Sequence, residues 1–179
     1  MKSNDELKSE ISSIKKDISH SKIINQIDLE SLRKKCINAS PFSHICIDGM
    51  WERNFLEKIR YEVCKSKDWA GEKKFFGAMQ KRYQNNWQEL PYNVSKFLSY
   101  LNQPLVLRIV EFITDEIGLI PDPYLNGGGI HSTGEDGFLK LHTDFNWNKK
   151  LKLYRRINIL VYLNKDWKEE FGGHLQLFN

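Results

Sequence analysis

Apolar residues near the start of the chain recur at helical spacing. Four of them are separated by 4, 3 and 4 positions and so share one side of a helix: Leu7, Ile11, Ile14 and Ile18. Residues 1–37 contain no Gly, Pro or aromatic side chain, and the pattern predicts a helical arm. Two interpretations stay open. The stripe packs on its own domain, or it forms a short coiled-coil contact with a second copy and mediates self-association.

The middle of the chain alternates between strand-like and helical patterns. His44–Asp48 is a short run of β-favouring residues, and Trp51–Lys65 carries apolar residues at helical spacing. Residues 68–90 are rich in aromatics, which favours an extended or hairpin segment. Two further helices are predicted at about 92–101 and 103–117.

Residues from Pro121 onward carry β signals. Turn-forming residues at 121–123 and three consecutive glycines at 127–129 precede short apolar-polar alternations. The clearest predicted strand is Arg156–Leu163, and another is predicted at His174–Phe178. The order of elements therefore predicts an α+β fold in which N-terminal helices are followed by a sheet.

Composition and charge narrow the class of protein. The 179 residues include 27 Lys+Arg and 23 Asp+Glu, a net charge of +4, and 40% are hydrophobic, as in a globular domain. Basic residues are scattered among acidic ones, so we expect no nucleic-acid partner. We find no run of about 18 apolar residues and no signal-peptide pattern, and we expect a cytoplasmic location without a membrane span. The three cysteines form no CxxC pair, which disfavours a thiolate zinc site.

The most informative chemical motif is Leu141-His142-Thr143-Asp144-Phe145. In an extended chain, residues i and i+2 project to the same face, so the His142 imidazole and the Asp144 carboxylate can converge on one point. One carboxylate and two imidazoles form the facial triad of non-haem Fe(II) oxygenases. His142 and Asp144 are therefore candidate metal ligands. By itself the motif is a weak signal, because a His-Asp hydrogen bond at a strand end has the same spacing.

Four segments in order give this motif its context. They are PFSHICIDGMWERNFLEKIR, PDPYLNGGGIHSTGEDGFLKLHTDFN, RRINILVYLNKDW and EEFGGHLQLF. Through them, residues 41–179 resemble the Fe(II)/2-oxoglutarate-dependent dioxygenases, specifically the prolyl 4-hydroxylase-like branch. The resemblance implies a double-stranded β-helix, a jelly-roll or cupin-like fold, with His142 and Asp144 as catalytic iron ligands. It also implies Fe(II), 2-oxoglutarate, O2 and ascorbate, and hydroxylation of a C–H bond in a small-molecule or peptidyl substrate.

Three further residues are candidates for binding the co-substrate. His131 occupies roughly the place where relatives carry a tyrosine that contacts 2-oxoglutarate; it is either a hydrogen-bond donor to a ligand or a polar loop residue. Asn158 and Tyr162 are an even distance apart and share one face of the predicted strand Arg156–Leu163. They are co-substrate candidates if that face lines the barrel; otherwise the intervening apolar residues point inward.

The sequence also departs from the family's pattern. The resemblance places a distal histidine ligand and a basic partner for 2-oxoglutarate on later strands, and Asn179 precedes both. His174 lies in a segment that the family places on a middle strand, and we do not assign it as the distal ligand. Arg155 and Arg156 can reach an anionic co-substrate or substrate, although charges at the start of a strand are commonly solvated.

These observations predict two parts, a helical arm at 1–37 and an incomplete dioxygenase domain at 38–179. We expect a fragment of a longer product, a degraded homologue, or a piece that another polypeptide completes. The alternative to an enzyme is a non-catalytic jelly-roll binding module or a remnant that acts through its N-terminal helix.

Overall fold

The computed structural model describes residues 3–67, 69–75 and 78–178. Asp68, Phe76 and Gly77, which belong to the predicted hairpin segment, lie outside the described residues. In chain order the helices are α1 (Asn4–Ser19), α2 (Leu29–Ile37), α3 (Arg53–Lys65), α4 (Tyr92–Leu101) and α5 (Pro104–Thr114). The strands are β1 (Gly71–Phe75), β2 (Ala78–Gln84), β3 (Ile130–Leu139), β4 (Trp147–Asn148) and β5 (Leu153–Tyr154).

The described residues divide into two compact units. The helical unit consists of the described parts of Met1–Lys58, Tyr100–Pro121 and Gln176–Asn179. The strand unit consists of the described parts of Ile59–Ser99 and Asp122–Leu175. Among the described residues, we find no helix with the length and apolar character that crossing a membrane requires.

Helix α1 begins at a capping box that its sequence provides. Ser3 Oγ accepts a hydrogen bond from the Glu6 amide at 3.3 Å, and Glu6 Oε2 accepts one from the Ser3 amide at 2.6 Å. These bonds satisfy N–H groups that the first helical turn leaves without a partner. Asp28 caps α2 by accepting from the Ser31 amide at 3.1 Å.

Three of the four residues of the predicted apolar stripe of α1 are buried inside the helical unit, and the fourth, Leu7, is partly buried. Ile14 of α1 and Ile109 of α5 are both 0% exposed. The buried core residues of this unit are Ile11, Ile14, Ile18, Ile24, Leu29, Cys36, Met50, Val106, Ile109, Phe112 and Ile113. An ion pair between Asp17 Oδ2 and Arg108 Nη1, at 2.6 Å, joins α1 to α5. The stripe thus packs on its own chain, while self-association through residues 1–37 stays a prediction.

Helix α5 ends earlier than the predicted boundary at residue 117. Its last residue is Thr114, because Asp115 adopts a left-handed conformation with φ 61°. Arg33 of α2 donates to the Phe112 carbonyl and to Asp115 Oδ1, the second at 2.6 Å. This side chain satisfies a carbonyl that the end of the helix leaves free.

The strand unit contains an antiparallel sheet in the order β1-β2-β3. Gly71 of β1 pairs with Tyr83 of β2, and Tyr83 pairs in turn with His131 of β3. Of the two alternatives predicted for residues 68–90, an extended segment or a hairpin, the described part forms a hairpin.

Gly129 lets β3 enter the sheet beside β2. Its φ is +93°, and a Cβ built there would lie 2.2 Å from the Gln84 carbonyl oxygen. Only glycine tolerates both that backbone conformation and that approach. The three-glycine segment is thus a turn, as predicted, and a hydrogen bond from the Gly128 amide to the Leu125 carbonyl at 3.0 Å closes it.

Three predicted strands are wrong. Residues 44–48, 156–163 and 174–178 form no strand. A strand exists only where its N–H and C=O groups bond to a neighbouring chain segment, and no described segment pairs with these three. Residues 155–163 nevertheless keep part of the strand alternation, since Ile157, Val161 and Leu163 are half-buried while Asn158 and Tyr162 are exposed.

The predicted fold class is confirmed. N-terminal helices precede antiparallel strands, an α+β arrangement consistent with part of a jelly-roll. The division at residue 37 stays a prediction.

Candidate metal centre

The predicted metal motif lies between two strands of the strand unit. Strand β3 ends at Leu139, β4 begins at Trp147, and the segment between them carries His142 and Asp144. The segment after the motif folds into a β4–β5 hairpin in which Trp147 pairs with Tyr154. This hairpin was not predicted, because residues 146–150 are polar apart from Trp147 and each strand is two residues long.

Asn148 shapes the turn of this hairpin. Its side chain is 6% exposed, and its Oδ1 accepts hydrogen bonds from the amides of Lys150 and Leu151, both at 3.1 Å. Such side-chain bonds to the following backbone replace the bonds that a regular turn supplies. The polar segment therefore forms a defined reversal that brings Arg155 and Asn158 back toward the metal motif.

The backbone holds the His142 imidazole in one tautomer. His142 Nδ1 lies 2.6 Å from the Lys140 carbonyl oxygen. A carbonyl oxygen only accepts, so Nδ1 carries a proton, and in the neutral imidazole Nε2 has the lone pair. Histidines that bind metals commonly donate their second nitrogen to a carbonyl in this way.

The Asp144 carboxylate faces that lone pair with one oxygen. Asp144 Oδ1 is 3.7 Å from His142 Nε2. The other oxygen, Oδ2, is 3.4 Å from Arg155 Nη2 and 3.5 Å from Asn158 Nδ2. The two side chains converge as the i, i+2 spacing predicts, although the segment that holds them is not itself a strand.

The distance between the two donors is compatible with one metal ion. Two atoms that each bind an ion at about 2.1 Å lie at most about 4.2 Å apart, and 3.7 Å is within that limit. The side chains of His142 and Asp144 are 47% and 52% exposed, so an ion has access to them. Across residues 3–67, 69–75 and 78–178, however, no cluster of three His, Cys, Asp or Glu could hold a metal. The described residues thus bring together two potential metal donors, and their assignment as iron ligands stays a prediction.

Arg155 is more buried than the solvated charge that is common at the start of a strand. Its side chain is 20% exposed, and its guanidinium lies 4.8 Å from the centroid of the Phe145 ring. The register of the β4–β5 hairpin would have identified the contact between Arg155 and Asp144. With Trp147 opposite Tyr154, Asp144 falls opposite residue 157, which makes Arg155 its diagonal neighbour.

Of the other three predicted site residues, Asn158 lies next to the metal motif, whereas His131 lies at the far end of β3. His131 lies at the start of β3, where its Nε2 is 3.2 Å from the Gly128 carbonyl oxygen, whereas the metal motif follows the opposite end of β3. Tyr162 is 61% exposed. Asn158 Nδ2 donates to Asp144 Oδ2 of the metal motif at 3.5 Å. Binding of a co-substrate by these residues stays a prediction.

His142 and Asp144 lie within a segment of the chain that matches a known protein family. Residues 128–179, 52 of the 179 residues, match the family model of the 2OG-Fe(II) oxygenase superfamily. The match supports that superfamily and a dioxygenase-type function in general, and it does not distinguish the prolyl 4-hydroxylase-like branch. No solved structure matches the chain.

Proposed function

We propose that the chain carries part of the catalytic domain of an Fe(II)- and 2-oxoglutarate-dependent dioxygenase, with His142 and Asp144 as two of the iron ligands. The match of residues 128–179 to the 2OG-Fe(II) oxygenase superfamily supports the reaction class. The observation that carries the proposal is the 3.7 Å approach of Asp144 Oδ1 to His142 Nε2 within that segment.

In this proposal, His142 and Asp144 bind the metal ion. The Lys140 carbonyl accepts from Nδ1 of His142, so Nε2 is the nitrogen that the neutral imidazole offers to a metal ion. Asp144 presents Oδ1 and contributes the negative charge that a divalent cation requires. The bound iron, with O2 and 2-oxoglutarate, would supply the oxidation of a C–H bond that no protein side chain performs.

The finer assignment is a prolyl-hydroxylase-like reaction on a small-molecule or peptidyl substrate. Its support is the four-segment resemblance, within which prolyl residues are one substrate class. His131, Asn158 and Tyr162 are the proposed contacts of the co-substrate, and ascorbate is a proposed reductant. Adding proline-containing peptides and measuring succinate formation, together with a mass gain of one oxygen atom, tests this assignment.

Metal binding provides the direct test of the reaction class. Under anaerobic conditions, Fe(II) and 2-oxoglutarate are expected to give a visible charge-transfer band in the wild-type chain. His142→Ala and Asp144→Ala should both lose the band, because each removes a donor. Glu135→Gln, which alters an exposed carboxylate in β3, should retain it. A band that persists in both alanine variants, or no band in the wild type, would contradict the proposal.

A non-catalytic binding module is the second candidate. The observation that favours it is the lack of a third metal donor within the described residues. A chain that binds a divalent cation through His142 and Asp144 but forms neither the charge-transfer band nor succinate would support this alternative.

A further inference from the structure

The two oxygens of the Asp144 carboxylate have different surroundings. Oδ1 lies 3.7 Å from His142 Nε2. Oδ2 faces Arg155 Nη2 at 3.4 Å and Asn158 Nδ2 at 3.5 Å. One oxygen is therefore directed toward the imidazole, while the other faces nitrogen donors from a different part of the chain.

Three contacts fix the arginine that holds Oδ2. The Arg155 amide donates to the Asn146 carbonyl at 2.8 Å, which ties its backbone to the hairpin. Its guanidinium lies over the Phe145 ring, 4.8 Å from the centroid. Beside both groups, a Cβ added at Gly127 would lie 3.1 Å from Phe145 Cε1 and 3.7 Å from Arg155 Nη1. The guanidinium therefore lies among Phe145, Gly127 and Asp144.

We propose that Arg155 is a positioning residue that fixes the Asp144 carboxylate so that Oδ1, and not Oδ2, is presented to the metal. This inference rests on the proposed function, because it assigns the ion to the His142–Asp144 pair. A carboxylate with both oxygens free samples several rotamers and can chelate an ion through either or both. Fixing Oδ2 removes those alternatives before the ion arrives, and such outer partners strongly affect metal affinity.

The geometry favours arginine over lysine at this position. A guanidinium is planar, so one face can stack on the Phe145 ring while an edge N–H group points at a carboxylate. A lysine ammonium keeps the charge but lacks the planar face. We therefore expect Arg155→Lys to retain part of the effect and Arg155→Gln to retain less.

The first measurement uses the metal-free chain. Three-bond couplings in NMR report χ1 of Asp144, and the wild type should show the values of a single rotamer. Arg155→Gln should shift these couplings to rotamer-averaged values, with Arg155→Lys in between. The matched control is Lys149→Gln, which removes the same charge from the turn of the same hairpin and should leave the Asp144 couplings unchanged.

The second measurement uses Mn²⁺ alone, with the free ion quantified by EPR. Arg155→Gln should weaken the affinity of the chain by about 10-fold or more, as expected for the loss of an outer-shell partner. Arg155→Lys should lose less, and Lys149→Gln should bind as the wild type does. His142→Ala identifies whether the ion occupies the proposed pair.

The outcomes separate the two hypotheses. Averaged Asp144 couplings together with weakened Mn²⁺ binding in Arg155→Gln support the positioning role. Unchanged couplings in Arg155→Gln overturn it, whatever the metal affinity. If Arg155→Gln fails to fold by circular dichroism, wild-type couplings and affinity in Arg155→Lys overturn it in the same way. Mn²⁺ binding that His142→Ala leaves intact overturns the metal assignment, and with it the proposed function, while the couplings still report whether Arg155 orders Asp144.

Discussion

The helical unit and the C-terminal part of the strand unit differ in the exposure of their apolar residues. In the helical unit, Ile14 and Ile109 are completely buried. In the strand unit, Leu160, Tyr162 and Leu175 are 53%, 61% and 60% exposed. Both regions have apolar patterns in their sequences, so apolar content alone does not explain the difference.

The difference lies in what each kind of element needs from the rest of the chain. A helix satisfies its backbone hydrogen bonds internally, and α1 needs only an apolar partner such as α5. A strand needs a neighbour for both its backbone bonds and its apolar face. Residues 156–163 have no ladder partner among the described residues, and their even-numbered side chains are exposed. Periodicity is therefore sufficient for burial in the helices and insufficient in this strand-like segment.

Truncation of one buried and one exposed residue tests this contrast directly. Ile14→Ala is expected to lower the free energy of unfolding by about 2–5 kcal/mol, because it leaves a cavity beside α5. Leu160→Ala, at a 53% exposed position, should change it by about 0.5 kcal/mol or less. Urea unfolding followed by far-UV circular dichroism measures both values. Similar losses in the two variants would mean that Leu160 is buried in solution and would remove the contrast.

Two glycine substitutions test how closely the backbone at Gly129 approaches the end of β2. Gly49 and Gly129 both have positive φ, but a Cβ meets nothing within 4 Å at Gly49 and lies 2.2 Å from the Gln84 carbonyl oxygen at Gly129. Gly49→Ala should cost about 1–2 kcal/mol from backbone strain alone. Gly129→Ala should cost about 1–3 kcal/mol beyond that, because the strands must separate. Equal urea midpoints for the two variants would refute the close approach at Gly129.

The smallest expected effect is a dependence of the free energy of unfolding on pH. It arises from a thiol that is buried in the core of the helical unit. Burial raises the pKa of the Cys36 thiol above its ordinary value. The unfolded thiol ionises near its ordinary pKa of about 8.5, whereas the folded one stays protonated to higher pH. This contribution to stability is thus complete below about pH 8.5 and is lost as pH rises through the folded pKa.

Urea midpoints between pH 7 and pH 10 measure this dependence. Cys36→Ala should show a shallower decline with pH than the wild type, since it removes the buried thiol. Cys64→Ala, which alters an exposed cysteine, should decline as the wild type does. Parallel pH curves for all three chains would show that the Cys36 thiol does not contribute.

The fold was predictable where local sequence determines structure. The stripe of α1, the helix after Trp51 and the glycine turn at 127–129 follow from spacing and from residue types with strong conformational preferences. The missed elements depend on pairing. The strands of the β4–β5 hairpin are too short to show a period, and the apolar run at 156–163 predicted a strand that finds no ladder among the described residues.

The same distinction applies to the candidate site. The i, i+2 spacing predicted the convergence of His142 and Asp144, because their distance depends on a short piece of backbone. The contact of Arg155 with Asp144 depends on a chain reversal shaped by the buried Asn148 side chain. A sequence interpretation that treats residues 146–150 as an unstructured loop does not predict that reversal. It therefore misses the contact of Arg155 with Asp144.

The ion pair between α1 and α5 has a consequence for the order of events during synthesis. Asp17 and Arg108 are 91 residues apart, and the buried face of α1 needs the helix that contains Arg108. At about 5–20 residues per second, the ribosome needs roughly 5–18 s to make the intervening chain. During that interval the isoleucines of the nascent first helix lack their docking partner. A chaperone that binds apolar segments on emerging chains would find its target there before the helical unit can close.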